Sequence, residues 1–113
     1  MRDLEKYRGV IPAFYACYDD NGEVSKERAK KFASFLIDKG VKGLYVGGSS
    51  GECIYQSKDD RKLILESVME VAKGKITIIA HIACNNTADG EELAAHAEKL
   101  GVDAIAAIPP IYF

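Results

Sequence analysis

The segment Gly47-Gly48-Ser49-Ser50-Gly51-Glu52 carries the densest potential chemistry in the chain. Its glycines let the backbone turn tightly and approach a ligand. Two adjacent serines add hydroxyl donors beside the loop's N–H groups. Together these could hold a carboxylate or a phosphate, because an anion needs several convergent donors. A tight turn with solvated serines fits the same residues, and spacing leaves both readings open. The loop is not a P-loop, since no Gly-Lys-Ser/Thr follows it. Glu52 reads as a structural residue accepting hydrogen bonds within the loop, because an acid–base role requires direct reach to a substrate. Cys17, Cys53 and Cys84 are scattered, as are His81 and His96; they make no metal site. Cys53 has no histidine near it in the motif and reads as a small buried thiol. His81 sits inside an apolar run and reads as a packed, hydrogen-bonded core histidine. His96 falls on a helical segment, partly exposed.

These residues need elements to place them. Val10 to Cys17 reads as a first strand, and Asp19-Asp20-Asn21-Gly22 as a turn. Ser25 is an N-cap, with Glu27 favourable at the helix start. Ala29, Phe32, Ala33 and Leu36 then mark one helical face, ended by Gly40. Gly43-Leu44-Tyr45-Val46-Gly47 is a second strand. Ser57 with Asp60 opens a helix whose buried stripe is Ile64, Val68, Val71 and Ala72, ended by Gly74. Ile76 to Ala83 is a third strand, apolar almost throughout, as expected of a strand covered on both faces of a parallel sheet. Thr87 caps a helix running through Leu93, Ala94, Ala97 and Leu100, ended by Gly101. Asp103 to Ile108 is a fourth strand.

Gly40, Gly74 and Gly101 recur at intervals near the roughly 31 residues per unit expected of an eight-unit barrel of about 250 residues. The short steps Gly40-Val41-Lys42-Gly43 and Gly101-Val102-Asp103-Ala104 imply neighbouring parallel strands. An open doubly wound sheet and half of a closed barrel both fit. The sequence runs out directly after a strand, where a helix is due, and this favours the half barrel. In either fold ligands bind at the carboxyl ends of the strands, which is where the glycine–serine loop falls.

With 113 residues the chain is one domain at most, a partial barrel spanning residues 1–113. A net charge of −2 offers no basic field, so neither nucleic acid nor membrane is an expected partner. The charged start, Met1-Arg2-Asp3-Leu4-Glu5-Lys6, is not a signal peptide. Three widely spaced cysteines argue for a reducing cytoplasm rather than a disulfide framework.

Gly43-Leu44-Tyr45-Val46-Gly47-Gly48-Ser49-Ser50-Gly51-Glu52 resembles the second-strand signature of the N-acetylneuraminate lyases, in the superfamily that includes dihydrodipicolinate synthase. Ala72-Lys73-Gly74-Lys75, Ile79-Ala80-His81 and Pro110-Ile111-Tyr112-Phe113 resemble the same family in the same order. The resemblance implies an α/β fold, the N-terminal half of a (β/α)8 TIM barrel with about four parallel strands and three helices. It also implies a class I aldolase that cleaves N-acetylneuraminate (sialic acid) to N-acetylmannosamine and pyruvate, without a cofactor. Ser49 and Ser50, with Gly48, would bind the pyruvate carboxylate; many relatives carry Thr where Ser50 stands. Tyr112 matches a tyrosine inserted into a neighbouring subunit's site to support a proton relay. The family is usually tetrameric.

The resemblance also places the proton-shuttling tyrosine and the Schiff-base lysine beyond Phe113. A nucleophilic lysine must be desolvated or lie beside another cation. Lys42 and Lys75 precede their strands, at the wrong end, and the other lysines read as solvated. The expectation is therefore an incomplete, inactive site, in a chain whose unpaired strand edges promote self-association. The alternatives are dihydrodipicolinate synthase or another pyruvate-dependent aldolase, and a non-catalytic half barrel.

Overall fold

The computed structural model of the chain describes residues 3–110. Three parallel strands, β1 (Gly43–Val46), β2 (Thr77–His81) and β3 (Ala104–Ala106), form one sheet in the order β1-β2-β3. Three helices, α1 (Lys26–Asp38), α2 (Lys58–Ala72) and α3 (Thr87–Leu100), alternate with them.

The helix starts follow local chemistry. Ser25 Oγ accepts from the Arg28 amide at 3.1 Å, and Ser57 Oγ from the Asp60 amide at 3.0 Å. Each occupies a free donor of the first turn. For α3 the expected cap is corrected. Asn86, not Thr87, accepts from the Asp89 amide, at 3.2 Å, and Thr87 is the first helical residue. Gly101 adopts φ 86° at the end of α3, a conformation in which a Cβ would be strained.

Alternation along the strands sorts the side chains onto two faces. Leu44 stands opposite Ile78, and Val46 opposite Ala80. All four are buried against Ala29 and Ala33 of α1, Ile64, Val68 and Ala72 of α2, and Ala97 of α3. Ile105 stands opposite Ala80, on the same face, yet is 51% exposed. No helix among the described residues covers it. The sheet therefore continues past its own cover at β3, as half a barrel must.

The expected first strand is present only in outline. The Ala13–Tyr45 contact is an isolated parallel bridge, giving three strands where four were expected. The Phe14 amide donates to Tyr45 O at 2.8 Å, and the Tyr45 amide to Pro12 O at 2.9 Å. Pro12 has no N–H, so the ladder loses the rung that residue would donate, although the Lys42 amide behind it still donates to Val10 O at 2.8 Å. Phe14 nonetheless reaches the core at 1% exposure, its ring centroid 5.1 Å from that of Phe32. At the opposite end of the strands, Lys6 pairs with Asp103, whose second carboxylate oxygen accepts from the Ile78 amide.

Candidate functional site

Leaving β1, the chain turns at Gly47, with φ 84°, and closes two short helical turns at Ser49–Gly51 and Cys53–Tyr55. A Cβ on Gly47 would lie 3.0 Å from His81 O, and one on Gly51 2.8 Å from Phe14 O. Both distances press on backbone, so the glycines let the loop sit against the neighbouring strand ends. The amides of Gly51 and Cys53 donate to Gly48 O, and that of Glu52 to Ser49 O. Among the described residues, these internal bonds do not use the Ser49 and Ser50 amides. Both serines are exposed at the carboxyl end of β1, and Gly48 beneath them is buried. The structure thus brings Gly48, Ser49 and Ser50 together. Tyr112 lies outside the described residues.

Glu52 is the one non-glycine among the described residues with positive φ, at 64°. Its Oε1 accepts from the Tyr18 hydroxyl at 3.0 Å, and that hydroxyl accepts from Gln56 Nε2 at 3.1 Å. The Gln56 bond favours the Tyr18 phenolate, but burial and the Glu52 carboxylate outweigh it and raise the pKa. Gln56 Nε2 also donates to Gly51 O at 2.9 Å, which ties the loop to itself.

Beside the loop lies a hollow of about 300 Å³, lined by Cys53, Lys58, Arg61, His81, Cys84 and Ile108 among others. Ser49 and Ser50 are not part of its lining. Cys53 is half-buried at this hollow rather than buried in the core. His81 is 5% exposed and hydrogen-bonded, in line with the sequence reading. His96 pairs with Glu66 across α2 and α3, at 2.7 Å. Among the described residues, no group of three or more His, Cys, Asp or Glu could hold a metal ion.

Sequence reading missed Arg61. It is only 8% exposed, and its guanidinium faces backbone carbonyls at the ends of β1 and β2 rather than a carboxylate. The signal was available. Arg61, Ile64 and Val68 stand at i, i+3 and i+7, so a charge falls on the buried stripe of α2.

Residues 6–113 match the Dihydrodipicolinate synthetase family. The chain belongs to this family. It is 69% identical over 113 residues to the N-acetylneuraminate lyase of Mediterraneibacter gnavus, covering 100% of this chain and 36% of that protein. A structure of Ruminococcus gnavus sialic acid aldolase, a catalytic lysine mutant, superposes with a TM-score of 0.97 at 69% identity, covering 100% of this chain and 37% of the other. N-acetylneuraminate lyase from Mycoplasma synoviae superposes with a TM-score of 0.94 at 36% identity, covering 98% of this chain and 38% of the other. The chain therefore spans little more than a third of the length of the relatives it matches. Within this Dihydrodipicolinate synthetase family chain, the glycine–serine loop, Arg61 and His81 all lie at the carboxyl end of the half barrel, the end at which such barrels hold their ligands.

Proposed function

We propose that this chain is the N-terminal part of an N-acetylneuraminate lyase and supplies the carboxylate-binding portion of its site. The observation that carries the reading is 69% identity, along the whole chain, to a protein of that name. The exposed Ser49–Ser50 pair, with amides outside the loop's internal bonding, supports it. In this reading Ser49 and Ser50 hold the carboxylate of N-acetylneuraminate, and later of pyruvate, while Gly48 lets the backbone close in. A lysine beyond Phe113 attacks the keto carbon to form the Schiff base. The carbon–carbon bond then breaks, leaving N-acetylmannosamine and an enamine that is protonated and hydrolysed to pyruvate. Tyr112 supports the proton relay in a neighbouring subunit of a cytoplasmic homotetramer. Dihydrodipicolinate synthase activity is the second reading, favoured by the family match itself.

The test joins residues 1–113 of this chain to the remaining residues of the Mediterraneibacter gnavus lyase, here the joined protein. Pyruvate release from N-acetylneuraminate is expected. Ser49→Ala and Ser50→Ala should each raise KM about tenfold or more, the worth of a hydrogen bond to a charged group. Unchanged KM in both variants removes the serines from the site. The native protein from its source cells, assayed for pyruvate release from N-acetylneuraminate, separates the two readings: release supports the lyase, and its absence favours the synthase. Its intact mass distinguishes a whole barrel, about two to three times heavier than this chain, from a half barrel that stands alone.

A further inference from the structure

Two buried side chains outside the serine loop join the ends of all three strands. His81 closes β2. Its Nδ1 donates to Gly47 O, at the end of β1, at 3.1 Å. Its Nε2 accepts from the Ile108 amide, just past β3, at 3.3 Å. A carbonyl can only accept and an amide N–H can only donate, so this pair of bonds specifies a neutral ring protonated on Nδ1. Burial, with the nearby Arg61 charge, lowers the His81 pKa and favours that neutral form.

Arg61 approaches from α2. Its Nη2 donates to His81 O at 2.9 Å and to Gly47 O at 3.4 Å, and its Nη1 to Ala83 O at 2.8 Å and Cys84 Sγ at 3.2 Å. Nε is buried without a partner among the described residues. An apolar side chain would fill this space without desolvating a charge. What the guanidinium adds is directional: it fixes three carbonyls at the ends of two neighbouring strands at once. Gly47 lies just ahead of Ser49, and Ile108 just ahead of the segment that leads to Tyr112.

We propose that His81 and Arg61 are positioning residues: His81 ties the Ser49–Ser50 loop to the segment leading to Tyr112, and Arg61 locks that tie in place. The inference rests on the lyase reading above. Its test uses the joined protein with His81→Asn and His81→Gln. Asn offers an amide N–H near the Nδ1 position, and Gln a carbonyl near the Nε2 position. His81→Gln releases the serine loop and should raise KM about tenfold with a smaller effect on kcat. His81→Asn releases the Ile108 segment and should lower kcat about tenfold with KM held. Arg61→Lys, which cannot span the same carbonyls, should raise KM as His81→Gln does. Equal losses in the two His81 variants, or no change in either, overturn the proposal. An inactive unsubstituted joined protein instead refutes the lyase reading. The tie is then judged by the imidazole ¹⁵N spectrum of that protein, which also serves if a variant fails to fold. A neutral ring protonated on Nδ1 at pH 7 supports the proposal, and the opposite tautomer or a doubly protonated ring overturns it.

Discussion

The His81 imidazole and the Arg61 guanidinium converge on a single acceptor, the carbonyl oxygen of Gly47, from 3.1 and 3.4 Å. Neither donor is on the loop it holds. One comes from the neighbouring strand and the other from the helix behind it, so the serine loop inherits its position from β2 and α2. Arg61→Met should destabilise the fold by about 2 kcal/mol, because three strand-end carbonyls lose a charged donor while the removed desolvation cost offsets part of the loss. Urea denaturation of the joined protein measures this. A variant as stable as the parent would show that water replaces the guanidinium without penalty.

Glu52 combines a left-handed backbone with an accepted hydrogen bond from Tyr18. Glu52→Gly loses the bond but relieves the backbone, whereas Glu52→Ala loses the bond and keeps the strain. The alanine variant should be the less stable by about 1 kcal/mol. Comparing their thermal unfolding checks this, and equal midpoints would mean that the loop relaxes around either residue.

The α3 cap offers a direct comparison of neighbours. Asn86→Ala should cost about 1 kcal/mol, since the Asp89 amide loses its acceptor. Thr87→Ala should be nearly neutral or slightly stabilising, because Ala is the better helix former at an exposed helical position. The reverse order in urea denaturation would restore Thr87 as the cap.

Stability should fall in mild acid. An unfolded histidine titrates near ~6.5, and His81 is lowered in the fold, chiefly by burial and further by Arg61. Its contribution is full above the unfolded value and is lost as pH drops through that value toward the folded one. Glu70, held low by Lys30 and Lys26, and Glu92, held low by Lys62 and Lys58, act in the same direction in stronger acid. These carboxylates are exposed and contribute little. Denaturation midpoints between pH 7 and 5 should therefore slope less steeply in His81→Asn, and an unchanged slope would assign the effect elsewhere.

Ile105 and Ile108 are each 51% exposed, and β3 pairs only with β2 among the described residues. A strand with one free edge and an uncovered apolar face invites pairing with another chain. The isolated 113-residue chain should sediment as concentration-dependent oligomers. A monomer that unfolds cooperatively would show that the half barrel stands alone.

Much of this structure was legible without coordinates. The alternation of apolar runs with helical stripes, the helix-ending glycines and the caps at Ser25 and Ser57 are interactions within a few residues of chain, and those are what periodicity and spacing encode. The glycine–serine loop was legible for the same reason: its residue types state the conformation they require. Other features depended on partners far away in sequence. Pro12 reduced the first strand to one bridge because a missing N–H matters only once Tyr45 and its neighbours are in place. His81 was readable as buried, but not as the tie between Gly47 and Ile108. Arg61 showed as a charge on a buried stripe, while its carbonyl partners come from the ends of two strands of a sheet that must already be folded. The sequence by itself determined the elements and the composition of the loop. Tertiary structure decided which buried donors hold that loop, because a hydrogen bond across the sheet depends on register and packing rather than on local spacing.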